Sequence, residues 1–343
     1  MFHIGRSLVL MGVLSVLVSV GALYGARHLH NEFEGLLEAR LQSDLISNNA
    51  EYRRTLLGVE DASIVLVGDI MLSRGVEMMI DRYGDYRYPF LLTADNLNYA
   101  DIAFGNLEGP ISERGTNQGS EYSFRARPEV LEGLQFAGFD ILSIANNHIL
   151  DWGGDAVSDT ISILRSGGIK TVGAGGNYEE ANAPIILRAG SARVGHLAFT
   201  TLYPEGLEAG EASAGVSDLD NAEEAVRALS ADTDIVIVSL HWGEEYQSLS
   251  NDFQKGLARS LIDAGADLVV GHHPHVVQEV ERYSEGWIVY SLGNFTFDQG
   301  FSDATRIGLA IEATVSGRKI IEIKEIQVRI SKTFQPEFVN LYR

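Results

Sequence analysis

Five short apolar runs end in residues that bind metal ions or move protons. Asp69 follows Ile64-Val65-Leu66-Val67-Gly68, Asn106 follows Ile102-Ala103-Phe104-Gly105, and Asn146-Asn147-His148 follow Ile141-Leu142-Ser143-Ile144-Ala145. His241 ends Ile235-Val236-Ile237-Val238-Ser239-Leu240, and His272, His273 and His275 follow Leu268-Val269-Val270-Gly271. Carboxylate, amide oxygen and imidazole together suit Zn, Mn, Fe or Mg in a hydrolytic site of one or two ions. In such a set Asp69 is placed to bridge two ions and Asn147 to offer an amide oxygen. His241, His273 and His275 would complete the coordination, and His148 would donate a proton. In His273-Pro274-His275 the proline fixes the backbone, and in an extended segment the two imidazoles share a face. Each residue alone also has a plain structural explanation, as a helix cap or a hydrogen-bonded core histidine. Donors at five run ends in one chain are harder to explain that way.

The elements that must position these residues follow from the same pattern. Runs of this length and composition predict buried strands, and helical stretches around residues 128–138, 156–167, 218–230 and 251–264 fall between them. The alternation predicts an α/β class, with the strand-end side chains in the crevice at the carboxyl edge of the sheet. Toward the C-terminus, Gly286–Leu292, Arg306–Val315 and Ile320–Val328 are separated only by turns, which predicts antiparallel strands closing the fold. Residues 61–343 show no repeat and no strong linker, so one domain is expected. Gly173-Ala174-Gly175-Gly176 lacks the Lys and Ser/Thr of a phosphate loop and reads as a turn.

Residues 7–26 carry no formal charge and lie between Arg6 and Arg27, long enough for a helix to cross a bilayer core of about 30 Å. A retained signal anchor is expected, with residues 1–6 as a cytoplasmic tip and the body outside the cytoplasm; a cleaved signal peptide and a core helix are the alternatives. In residues 27–60, Leu29, Phe33, Leu37, Leu41 and Leu45 recur every fourth position, which predicts an amphipathic helical connector. The formal charge is −21, from 26 Lys+Arg against 47 Asp+Glu, so long-range repulsion disfavours nucleic acid as a partner. The absence of Cys excludes disulfides, thiolate metal sites and a cysteine nucleophile.

The blocks Gly68–Leu72, Gly105–Glu108, Ala145–His148 with Asp151 and Gly153, His241–Tyr246, Gly271–Val276 and Ser291–Phe295 with Asp298 also resemble, in order, the CapA family of bacterial poly-γ-glutamate capsule proteins. The resemblance covers roughly residues 62–300. It implies a four-layered αββα sandwich similar to calcineurin-type metallophosphatases. It also implies a membrane-anchored protein acting in synthesis or export of an anionic polymer, with a capsule ligase and a membrane export component as partners. Mapped on the metallophosphatase pattern, Asn147-His148, His241 and His273/His275 match, and His272 is an extra candidate. Two positions depart. Met71 stands where the pattern has the His of Asp-x-His, and Asn106 or Glu108 stands in for its second Asp.

Substrate contacts are less sharply defined. Arg74, Arg82, Arg87, Arg114, Arg125 and Arg127 lie near the first two blocks, whereas residues 201–270 hold fourteen Asp+Glu against three Lys+Arg. A bound polyanion should approach from the arginine side, chiefly Arg74, Arg125 and Arg127, unless these are scattered solvated residues. Trp242 is placed to stack on substrate or to pack in the core. Glu244 and Glu245 are placed to act as bases or to favour a helix N-terminus, and Asn294 and Asp298 to shape the crevice rim. The expected activity is metal-dependent hydrolysis of the polymer or a phosphorylated precursor, with Asp69 and His148 at its centre. The alternatives are a non-catalytic component that binds and passes on the polymer, and a general cell-surface phosphoesterase.

Overall fold

The computed structural model describes residues 61–202, 208–211 and 213–339. The expected tip, anchor and connector over residues 1–60 lie outside these. Among the described residues no helix is long and apolar enough to cross a membrane.

Two mixed sheets form the body. In the first, the strands Ala62–Ile70, Ile102–Leu107, Ile141–Ser143 and Lys170–Val172 run parallel, and the antiparallel strands Ile307–Ser316, Lys319–Ile330 and Pro336–Val339 extend the other side of Ala62–Ile70. In the second, the parallel strands Ala192–Thr200, Ile235–His241, Leu268–His272 and Gly286–Val289 are edged by Ile185–Ala189 and Val280–Tyr283.

Side-chain alternation along the strands accounts for the layering. Ile64, Leu66, Ile102 and Phe104 of the first sheet pack with Ile235, Ile237, Leu268 and Val270 of the second. Their neighbours Val65 and Val67 face outward, with Val76 and Ile80 of helix Arg74–Tyr83 and Leu164 of helix Gly154–Ser166. Val236, Val238 and Val269 pack with Val226 of helix Ala222–Asp232 and Leu261 of helix Asp252–Ala264. Strands buried on both faces read as continuous apolar runs, which is why they were visible in the sequence. The α/β class agrees with the expectation.

The tail departs from it in one place. Gly286–Val289 does not belong to the closing antiparallel set but lies parallel to Leu268–His272 in the second sheet. The hairpin through Val280–Tyr283 turns the chain back along that edge, an excursion that turn residues alone do not encode.

One irregularity bears directly on the site. Strand Ala62–Ile70 pairs in register with Ile102–Leu107 through Leu66↔Phe104, then shifts so that Asp69 lies opposite Asn106. Gly68 occupies the shift, where a Cβ would stand 1.9 Å from the Gly293 carbonyl oxygen, and the Asp69 amide donates to that same oxygen at 3.0 Å. Beyond the shift Asp69 is flanked by Asn106 on one side and Asn294 on the other. In the second sheet Thr200, His241 and His272 form a matching transverse row.

Candidate metal centre

The two rows meet around Asp69, which is fully buried. Asn106 Nδ2 donates to Asp69 Oδ1 at 2.8 Å, and the His273 backbone N–H donates to Oδ2 at 3.2 Å. His275 Nδ1 lies 3.4 Å from Oδ2, and His272 Nδ1 lies 3.3 Å from Oδ1 without hydrogen-bond geometry. His241 Nε2 meets Asn147 Oδ1 at 2.8 Å and Nδ1 faces the Asn106 amide at 3.4 Å, an arrangement that places the imidazole proton on Nε2. His275 Nδ1 is also held by Asn294 Oδ1 at 2.9 Å, and His275 Nε2 faces Glu108 Oε1 at 3.6 Å.

Donor atoms of Asp69, Glu108 and His241 lie within 4.8 Å of one another, as do those of Glu245, His273 and His275. Both Glu108 oxygens and His273 Nδ1 are buried without a hydrogen-bond partner. Buried carboxylate oxygens with no donor are costly in a folded protein, and a divalent cation is the kind of partner that satisfies them. The mixed oxygen and imidazole set therefore fits a divalent ion.

The electrostatics agree. Burial and the neighbouring His275 charge hold His273 down at about 3, and burial with His273 keeps His241 well below its ordinary value, so both are neutral imidazoles at neutral pH, the form that can bind a metal ion. Burial also pushes Glu108 well above the usual carboxylate range, against the pull of His275. For Asp69 the burial penalty is outweighed by the imidazoles of His272 and His275, which hold it well below that range. His275 resists its own burial and rises to about 9 because Glu108 and Asp69 flank it.

His148 borders the set, its Nε2 3.9 Å from Glu108 Oε1. Its Nδ1 meets Asp151 Oδ2 at 2.9 Å, and Asp151 is fixed by Ser120 Oγ at 2.6 Å and the Phe124 N–H at 2.7 Å. These donors mark Asp151 as a pure acceptor, so His148 carries its proton on Nδ1 and turns Nε2 to the cleft. The backbone is strained in the same place. Of the six described non-glycine residues with positive φ, four are Arg74, Tyr246, His273 and His275.

Several expected contacts are placed elsewhere. Trp242 is completely buried, donates Nε1–H to the Tyr290 carbonyl at 2.9 Å and stacks on that ring, so it packs in the core under the outer helices. Asn294 is buried and orients His275 instead of forming a rim. Glu244 is exposed, and its neighbour Glu245 faces the histidines. Arg127 is engaged by Glu77 and Asp81, and Arg125 lies flat on Trp152 at 3.5 Å. Arg74 stays near the cleft, bidentate to Asp298 and 5.1 Å above Phe124, whose ring lies 4.0 Å from His148. The Asn106 amide donates Nδ2–H to Asp69, and its Oδ1 accepts one hydrogen bond, from Asn146 at 3.2 Å. The Met71 sulfur accepts from Ser73 N and Oγ at 3.2 and 3.0 Å within the outer apolar core. Asn146 was not singled out from the sequence. It bonds the Leu107 carbonyl at 2.8 Å and caps the His148 N–H, and its only sequence signal was its place beside Asn147.

Fold and donor set together define an α/β protein with a candidate divalent-metal centre where the strand ends of two sheets meet. Comparison gives the family. Residues 63–299 match the profile of the bacterial capsule synthesis protein family PGA_cap, and the chain belongs to that family. It is 35% identical over 254 residues to the capsule biosynthesis protein CapA of Bacillus anthracis, a match spanning 71% of this chain and 61% of that one. It is 34% identical over 245 residues to the PGA biosynthesis protein CapA of Bacillus subtilis (strain 168), spanning 70% and 64%. The chain thus spans just over three fifths of the length of these relatives. A solved structure described as a novel phosphatase, from Mycoplasma pneumoniae, superposes with a TM-score of 0.50 at 12% identity over 78% of this chain and 94% of that one; the likeness is one of fold.

Proposed function

We propose that this protein is a membrane-anchored, metal-dependent hydrolase of capsule synthesis or export, acting on a poly-γ-glutamate chain or a phosphorylated precursor. The observation that carries the reading is the unpartnered Glu108 carboxylate beside neutral His241 and His273, all gathered on Asp69. The layering of the body is compatible with a calcineurin-type αββα sandwich. One or two Mn, Fe or Zn ions held there would supply Lewis acidity toward a phosphoryl or carbonyl oxygen. Asp69 organises the cluster. Asp151 orients His148 through Nδ1–H and would stabilise the imidazolium formed when Nε2 takes up a proton from water; that Nε2 proton then passes to a leaving group at the cleft. Arg74, already bidentate to Asp298, stands at the mouth, where an anionic group would compete with that carboxylate for it. Residues 7–26 would hold the body on the outer face of the membrane, beside a capsule ligase and an export component; carbonate-resistant sedimentation of the full chain with membranes, lost on deleting 7–26, tests that part.

Metal content by elemental mass spectrometry tests the centre. About one or two equivalents, lost in an Asp69→Asn/His273→Ala double variant, are expected; no metal above background in the folded protein would overturn the assignment. For the proton donor, His148→Ala should lose roughly 10²–10⁴-fold in turnover on γ-glutamyl or phosphate-ester substrates while keeping its metal. Met71 favours a second reading, because a thioether tied to Ser73 leaves the His position of the metallophosphatase Asp-x-His pattern without an imidazole. On that reading the cleft binds and passes on the polymer without cleaving it, and Asp69→Ala would abolish export while hydrolase assays of the wild type stay blank.

A further inference from the structure

Arg74, Arg87 and Arg127, three of the six arginines near the first two blocks, are matched by acids, but one cavity is not. It has a volume of about 470 Å³ and is lined by Arg306, Arg329 and Lys332 with a single acid, Asp303. Arg306 donates to the Gly300 carbonyl at 3.0 Å, and among the described residues none of the three cations forms an ion pair. Glu337 faces Arg329 across the strands at the sheet edge and leaves the group net positive. In a chain of charge −21 such a spot is where the field of the protein attracts an anion instead of repelling it.

The cavity is joined to the candidate metal centre by one loop. Asn294, which orients His275, also donates to the Thr305 carbonyl at 3.1 Å and to Gln299 Oε1 at 3.1 Å. Phe301, 67% exposed, lies edge-on to Tyr246 with ring centroids 5.1 Å apart, and Tyr246 is 6.2 Å from His275. The order along the surface is therefore metal centre, aromatic shelf, cationic cavity.

We infer that the cavity between the Gly300–Ile307 loop and the end of strand Lys319–Ile330 is a carboxylate-binding subsite, holding acidic groups of a polymer whose next stretch crosses Tyr246 and Phe301 to the metal centre. This rests on the polymer reading above. Guanidinium groups pair with carboxylates through parallel N–H donors, and the edge-on Tyr246–Phe301 pair offers apolar surface to the uncharged backbone between the anionic groups.

Fluorescence anisotropy of a labelled γ-linked glutamate decamer with the full chain tests it. Wild type should bind with an affinity that falls as salt rises, and Arg306→Gln/Arg329→Gln/Lys332→Gln should weaken binding at least about tenfold, the worth of a single charge-assisted contact, with metal content unchanged. Because Arg306 braces the loop, the surface double variant Arg329→Gln/Lys332→Gln is measured beside it and should show the same direction. Millimolar inorganic phosphate should leave the decamer bound; displacement by it would assign the cavity to phosphate and overturn the carboxylate subsite. Decamer binding within twofold of wild type in both variants would overturn the subsite alone, whereas no binding by wild type would overturn the polymer reading with it.

Discussion

Glu108 shows how a single buried group can oppose stability and still belong. Its charge is disfavoured by burial, and neither oxygen has a hydrogen-bond donor. Glu108→Gln should therefore raise the melting temperature of the chelated protein at pH 7, by roughly 2–4 °C for each kcal/mol recovered, and lower metal affinity at least about tenfold. Calorimetry with and without chelator reads both; a melting temperature that falls in chelator would show that the carboxylate is already satisfied. At this scale the sequence revealed the donors but not their partners. His241 and Trp242 are adjacent, so on a strand they must face opposite ways, and an inward histidine already implied an outward tryptophan. Nothing local distinguished Glu244 from Glu245. That choice is made by the turn after the strand, where Gly243 and Tyr246 both take positive φ.

Elements were legible where burial on both faces left an unbroken apolar run, as in Ile235–His241. They were not where pairing depended on distant chain. The edge hairpin that carries Gly286–Val289 into the second sheet is one case, and helix Arg74–Tyr83, directly after the Asp69 strand, was not read at all. Two glycines make the positional logic measurable. Gly68→Ala forces a Cβ against the Gly293 carbonyl and should cost more than about 3 kcal/mol, enough to leave the chain largely insoluble. Gly256→Ala meets open space in helix Asp252–Ala264 and should stabilise by about 0.5–1 kcal/mol. Denaturant midpoints decide both. The same helix begins with a capping box at Asn251 and Gln254, and Asn251→Ala should cost about 1 kcal/mol.

For the whole molecule, acid response is set partly by His196, buried in the second sheet beside Phe104 and held down at about 4 by burial. Its folded value lies below its unfolded 6.5, so the folded state binds fewer protons and stability falls as pH drops through that window. The loss is at most about 3 kcal/mol, complete near pH 4. Asp140, raised to about 6 by burial, has the opposite sign: its charge destabilises the fold as pH rises from about 4 to 6. His196→Phe should remove the first effect and leave the second, so the variant gains on wild type as pH falls from 7 to 4.5. Urea melts across that range check it, and parallel curves would refute it. The fold class and the family were legible from strand-end residues and their order. The cationic cavity proposed above was not, because Arg74 and Arg127 drew attention by their place near the first two blocks although Asp298, Glu77 and Asp81 pair with them, whereas Arg306, Arg329 and Lys332 lie after the last of the blocks.

Asp69 accepts one hydrogen bond from Asn106, 37 residues on, and another from His273, 204 residues later in the chain. No short segment of the polypeptide therefore presents the donor set, and the centre is born only when long-range pairing is complete. An ion cannot template early folding here as it does in a zinc finger. An ion held by this candidate centre would therefore be taken up in whichever compartment the last strands dock, from what is free there, and not where the first donor leaves the ribosome.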